Sequence, residues 1–264
     1  MKNQDRIGFI CFSLFYSRNK FHDLFKEIRI EFENHNSLLN HFAILVSPYY
    51  YDGRVDVIMG TLKDQLPYLK DEFQSHLNLF LTTNSTKRIE KLPYGKRIWI
   101  DDRTNTIAYN SFNISPVFKK KDFFLFQKLL SQLIFELVEE DYEDGFLSLV
   151  AFVYITISKK QVLPLHNLMK YTAFVDDGNI NLIDNIEIFN QYSDPEWEDR
   201  KLKSIYEAFV KEIAHLYGMH SYERTFLLLI EIINKMLSVP PNLSSFLWNS
   251  VCLFRNLNES DSQY

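Results

Sequence analysis

Cysteine is scarce in this chain, which has two among 264 residues, and this scarcity excludes several kinds of protein. Cys11 and Cys252 lie near opposite ends of the sequence, so neither a disulfide framework nor a thiolate metal site is indicated. Neither cysteine has an activating group beside it in the sequence. This cysteine usage fits a reducing cytoplasm, and we expect a cytoplasmic protein.

Long apolar runs and a surplus of positive charge are also lacking. The longest apolar run, residues 146–157, is too short for a membrane helix, and residues 8–16 are preceded by Asp5 and followed by no small-residue cleavage site. We therefore expect no membrane association. A net charge of −5 argues against a nucleic-acid partner, because phosphate binding usually requires a basic surplus.

Motifs that identify common enzyme classes are missing as well. The sequence has no Gly-x-Ser-x-Gly elbow and no glycine-rich phosphate loop. Glu212 and His215 have a spacing used by carboxylate-bridged metal sites. Those sites need a second such pair and two more glutamates, and the chain offers only Glu72 with His76, at a spacing of four. We predict no metal and no cofactor.

Aromatic residues, by contrast, are abundant: the chain has 23 Phe and 15 Tyr against 7 Gly and 8 Pro. A hydrophobic content of 46% is enough for a full core, so we expect one α+β domain over residues 1–264, with a subdomain boundary near residue 118 left open. The aromatic excess has two explanations, an apolar or peptide-binding cleft and a compositional bias of the genome.

Hydrophobic periodicity predicts the order of elements. Strands are expected at residues 7–16, 42–47, 54–60, 96–101 and 107–112, and helices at 21–33 and 62–81. Further helices are expected at 123–139, 146–157, 199–217, 223–237 and 243–257, with a turn at 175–181. The pattern predicts a largely antiparallel sheet with flanking helices in the N-terminal part and a mainly helical C-terminal part.

The stretch 42–60 carries the most functional information. Two predicted strands flank a turn with three tyrosines, Tyr49, Tyr50 and Tyr51. Side chains alternate along a strand, so Arg54 and Asp56 share one face of the second strand. Such a pair is either an exposed salt bridge or the floor of a polar site.

A second unusual segment spans residues 192–200. Asp194 and Pro195 are typical of a helix start, and the acids that follow are explained by the helix dipole. The functional alternative is that Tyr192, Glu196 and Arg200 line a polar pocket opposite the sheet.

The order of these elements, the strand–turn–strand at 43–58 with Arg54, and the Tyr-Pro-Glu-Arg segment at 192–200 resemble the lantibiotic dehydratase C-terminal domain. This domain also occurs alone as the thiopeptide-type bacteriocin biosynthesis protein, and the hairpin at 99–109 is similar to one in the same group. The chain departs from the family where Val55 and Asp56 replace a histidine and a second arginine.

The resemblance implies a stand-alone protein that modifies a ribosomally made precursor peptide, as a lyase that eliminates glutamate or as a cyclase. It implies catalytic roles for Arg54 and Arg200 as anion clamps and for Glu196 as an acid or base, with Tyr49, Tyr50, Tyr51 and Tyr192 contacting the substrate. The implied partners are the precursor peptide and a separate large dehydratase, and a homodimer is left open. The alternative is a non-catalytic protein whose aromatic cleft binds a peptide or a partner.

Overall fold

Four strands form one antiparallel sheet with the order β2-β3-β1-β4 in a computed structural model, which describes residues 7–47, 53–86, 104–110, 112–137, 142–159, 199–239 and 244. The strands are β1 (Ile7–Phe15), β2 (His41–Ser47), β3 (Arg54–Leu62) and β4 (Thr106–Tyr109). Together with the helices, they confirm the predicted α+β class and the antiparallel sheet.

Six α-helices accompany the sheet in the described part of the chain. They are α1 (Phe21–His35), α2 (Leu66–Thr83), α3 (Phe124–Leu137), α4 (Tyr142–Lys159), α5 (Arg200–Met219) and α6 (Tyr222–Met236). The last four follow β4, so the described residues of the C-terminal part are mainly helical, as predicted. Short 3-10 segments at Pro116–Lys119 and Lys121–Phe123 lead into α3.

One predicted boundary was wrong, because β3 continues through Leu62 and α2 begins only at Leu66. The last residues of β3 stay in the sheet because Leu62 pairs with Ile7, and the Thr61 hydroxyl donates to the Leu38 carbonyl at 2.7 Å. The predicted strand at 96–101, the turn at 175–181 and all but residue 244 of the helix at 243–257 lie outside the described residues.

Helices α1 and α2 cover one face of the sheet. Phe12 of β1 points to this face, where its ring centroid lies 6.2 Å from that of Phe73 in α2. Phe42 of β2 lies on the same face, 4.7 Å from the ring of Phe32 in α1. All four rings are almost completely buried, and burying one such ring contributes roughly 1.5–3 kcal/mol.

Helix α3 runs beside the edge strand β2. The backbone N–H of Ile44 donates to the Ser131 hydroxyl at 3.1 Å, so a side chain of α3 satisfies a group at the edge of the sheet. Near the start of α3, Phe124 packs on Phe9 and His41, which lie on the face opposite α1 and α2. Helix α5 then packs on α3, with Phe126 and Phe209 stacked at 5.2 Å.

His41, the first residue of β2, is a buried polar side chain that the periodicity did not single out. It is 0% exposed, and its Nε2 lies 2.5 Å from the Gln127 Oε1 atom of α3. Its Nδ1 has no hydrogen-bond partner in the part of the chain that the structure describes. Burial lowers the pKa of His41 to about 4, and the positive charge of nearby Lys128 adds to this decrease. The hydrogen bond to Gln127 acts in the opposite direction and raises the pKa.

Buried apolar side chains form one contiguous cluster that includes residues on both sides of position 118. The subdomain boundary near residue 118 stays a prediction. None of the described helices is both long enough and apolar enough to cross a membrane.

Candidate functional site

The candidate site lies on the sheet face opposite α1 and α2, at the end where β1 finishes and β3 begins. Antiparallel pairing places Phe15 opposite Arg54 and Ser13 opposite Asp56. Residues directly opposite each other project to the same face, so these four side chains form one patch across the two strands. We call Ser13, Phe15, Arg54 and Asp56, together with Phe112, the arginine patch.

An ion pair with two parallel contacts occupies the centre of the arginine patch. Arg54 Nε lies 2.7 Å from Asp56 Oδ1, and Arg54 Nη2 lies 2.8 Å from Asp56 Oδ2. The Ser13 hydroxyl donates to the same Oδ1 atom at 2.5 Å. The Asp56 residue is 9% exposed and the Arg54 side chain is 21% exposed. The pair is therefore largely shielded from water, and part of the arginine side chain stays at the surface. Arg54 and Asp56 therefore share a face, as predicted.

Two phenylalanines flank the guanidinium. Its central carbon lies 6.0 Å from the centroid of the Phe15 ring and 5.8 Å from that of Phe112. These distances are within the range of cation–π attraction. Periodicity placed Phe15 in a strand and Phe112 at the end of a hairpin, but it did not assign either ring to the site. Only the pairing of β1 with both β3 and β4 brings them to the arginine.

Cys11 lies two residues before Ser13 on the same face. Its thiol contacts the Phe112 carbonyl at 3.2 Å, and its residue is 4% exposed. Burial raises the pKa of the Cys11 thiol, and the Asp56 carboxylate raises it further. Cys11 is therefore a neutral, buried thiol that helps to hold Phe112 beside the arginine patch, and it is not suited to act as a nucleophile.

A glycine sets the position of Arg54. Gly53 has a φ of +67° and accepts a hydrogen bond from the Tyr16 N–H at 3.2 Å. A Cβ atom there would lie 2.4 Å from the Tyr16 carbonyl oxygen and 2.7 Å from the Phe21 ring. A side chain at this position would therefore clash with the end of β1, and glycine lets the chain enter β3 close enough for Arg54 to face Phe15.

Of the predicted site residues, only Arg54 and Arg200 fall within the described part of the chain. Tyr49, Tyr50, Tyr51, Tyr192 and Glu196 lie outside it, so their roles stay predictions.

Arg200 is the exposed first residue of α5, whose N-terminus is capped by the Asp199 side chain. The adjacent Lys201 binds Glu33 of α1 at 2.9 Å, and Glu33 directly follows Phe32, whose ring packs on Phe42. Phe42 pairs with Met59 of β3, and Met59 lies five residues from Arg54, a distance of about 16 Å along the strand. No described contact joins Arg200 to the arginine patch, and its predicted role at the site is untested.

The Glu212–His215 pair has a structural explanation. Glu212 is 8% exposed, and burial raises the pKa of its carboxyl while His215 lowers it. His220 stacks on Phe123 and lies 3.2 Å from an Asp122 oxygen. Within the described ranges, no three His, Cys, Asp or Glu side chains are grouped so that they could hold a metal ion.

Comparison with known proteins finds a similarity in fold but none in sequence. No protein-family model matches the chain, and no curated protein matches it by sequence. Ten chains of solved structures match, and one of them is the pyridine synthase TbtD from thiomuracin biosynthesis. That similarity has a TM-score of 0.54 at 11% sequence identity and covers 95% of this chain and 97% of the synthase. The chain therefore shares its fold with a pyridine synthase over nearly the full length of both proteins.

Proposed function

We propose that this protein acts on a ribosomally made precursor peptide and closes a ring by cycloaddition between two dehydroamino acids. The observation that carries the proposal is the similarity in fold to a pyridine synthase of thiomuracin biosynthesis, which extends over 95% of this chain. The order of elements around Arg54 and the segment at 192–200 resemble a family with the same kind of substrate, which supports it from the sequence.

The charge balance of the arginine patch favours ring closure over glutamate elimination. Elimination releases a carboxylate, and a cation that stabilises it must be available to bind it. Arg54 is already engaged by Asp56 through two short contacts. Cycloaddition rearranges π electrons between its two partners and adds or removes no atom, so the protein has mainly to hold the partners in reacting geometry.

A purely binding role is the second candidate, and the same pair supports it. The mutual neutralisation of Arg54 and Asp56 weakens any electrostatic contribution to a reaction, while the partly exposed Phe112 provides apolar surface for a peptide. Dehydroamino acids have to be made by another enzyme, so the cycloaddition proposal includes a separate dehydratase as a functional partner.

The test uses a peptide with two dehydroalanines and liquid chromatography with mass spectrometry. Cycloaddition alone leaves the mass unchanged, shifts the retention time and removes two thiol-reactive alkenes together. Elimination from a glutamylated peptide would instead lower the mass by one glutamate for each event. Binding of the peptide without either change would replace the enzymatic proposal by the binding role.

Arg54→Ala tests whether the arginine patch is the site. We expect loss of product and a lower melting temperature, because Asp56 would keep a poorly solvated charge without its partner. The double variant Arg54→Ala/Asp56→Asn removes both charges and should regain most of the melting temperature but not the product. Arg224→Ala, at an exposed position on α6, is the matched control and should retain activity. Unfolding of the double variant would show that this arginine is structural, and full activity of either variant would move the site elsewhere.

A further inference from the structure

Charge compensation inside the arginine patch points to the class of peptide segment that it receives. We propose that the patch selects segments without acidic side chains, and that Asp56 is the residue that determines this specificity. The proposal rests on the proposed function for the statement that the ligand is a peptide. The exclusion of carboxylates follows from the geometry alone.

An acidic ligand would have to compete with Asp56 for Arg54. Both Asp56 oxygens already accept from the guanidinium, at 2.7 and 2.8 Å. Displacing Asp56 would leave its carboxylate at a position where the residue is 9% exposed, without its cationic partner. Breaking such a pair on one side is costly, because the abandoned charge is poorly solvated.

Binding beside Asp56 without displacing it is also unfavourable for an acid. Two carboxylates would then share one guanidinium in a partly shielded place, and like charges at short distance repel. Neutral groups avoid both costs. An amide or an unsaturated side chain can contact the partly exposed ring of Phe112, whose centroid lies 5.8 Å from the guanidinium carbon.

Ser13 positions Asp56 for this role. Its hydroxyl donates to Asp56 Oδ1 from the paired position on β1, so the carboxylate is held by a neighbouring strand as well as by the arginine. Replacing Ser13 by alanine removes this hydrogen bond but keeps the charge. We therefore expect Ser13→Ala to weaken the exclusion of carboxylates partly and Asp56→Asn to abolish it.

The experiment uses two matched small probes, N-acetylglutamate amide and N-acetylglutamine amide, at constant ionic strength. Binding is followed by the ¹⁵N–¹H resonance of the Arg54 Nε–H group, assigned by its loss in Arg54→Lys. In the wild type, we expect no saturable shift with the acid. Asp56→Asn should bind the acid at least tenfold more tightly than the wild type, with Ser13→Ala between the two.

A wild-type protein that binds the acid as tightly as Asp56→Asn does would overturn the proposal. An Asp56→Asn variant that folds and still excludes the acid would overturn it too, since another group would then be responsible. If Asp56→Asn fails to fold, the wild-type titration and Ser13→Ala decide the question. None of these readouts requires turnover, so failure of the peptide-modifying function would be seen separately, as missing product.

Discussion

Replacing His41 by asparagine should make the protein markedly less sensitive to acid. His41 is completely buried, and its pKa of about 4 lies well below the value of 6.5 for a free histidine. Between these two values the unfolded chain binds a proton at His41 that the folded chain largely does not. Stability therefore rises with pH through this window and is lost as the pH falls from 6.5 towards 4.

The size of the effect follows from the two pKa values. At pH 4.5, the unfolded histidine is almost fully protonated and the folded one only in part, so His41 lowers the free energy of unfolding by roughly 2–3 kcal/mol relative to pH 8. The structural reason is that a proton on Nδ1 would be buried without a hydrogen-bond partner among the described residues. Asparagine does not titrate in this pH range.

Urea unfolding at pH 8 and pH 4.5 measures the effect. The decrease in unfolding free energy between the two pH values should be roughly 2–3 kcal/mol smaller in His41→Asn than in the wild type. His22→Asn, at an exposed position of α1, is the control for loss of a histidine. An unchanged pH dependence in His41→Asn would refute the reasoning and show that this histidine is protonated inside the fold.

Three further predictions concern stability and are checked by the same unfolding assay at pH 7.5. Gly53→Ala should lower the free energy of unfolding by at least about 2 kcal/mol, because its backbone has a positive φ and a Cβ would clash with Tyr16. Gly218→Ala is the contrast, since a Cβ there meets nothing within 4 Å in α5, and should raise it by up to about 1 kcal/mol. An equal effect at both positions would contradict the clash. His76→Ala should cost about 1–2 kcal/mol, because its ring nitrogens face one carboxylate at 2.7 Å and another at 3.4 Å from α1. Tyr154→Phe should cost about 1–2 kcal/mol, because its buried hydroxyl hydrogen-bonds Asn234 and Ser244. An unfolding free energy that does not change in His76→Ala or Tyr154→Phe would show that water replaces the lost contact in that variant.

Elements with clear periodicity were predictable because their pattern is local. The stripe of apolar residues in α1 and the alternation in β3 identify a helix and a strand, and both are present close to the predicted bounds. The end of β3 was not predictable in this way. Residues 61 and 62 stay extended because they pair with the first residues of β1, which are more than fifty positions away in the sequence.

The candidate site, too, was predictable only where its features depend on a local pattern. Alternation along β3 was enough to predict that Arg54 and Asp56 share a face, and the sequence resemblance was enough to select Arg54 as a candidate. The sequence could not predict that Ser13 would hold Asp56, or that Phe112 would flank the arginine, because those neighbours come from other strands.

The sequence by itself therefore determined the α+β class, the order of most elements and the charged pair on β3, since helix and strand periods act over a few residues. Only the tertiary structure decided whether the charge of Arg54 is available to a ligand or is neutralised by Asp56. Ser13 and Phe15 are brought to Arg54 by the antiparallel register of β1 and β3, and Phe112 by the pairing of β1 with β4. Because burial and neighbouring strands set the strength of a charge, the chemistry of Arg54 depends on contacts between distant parts of the chain.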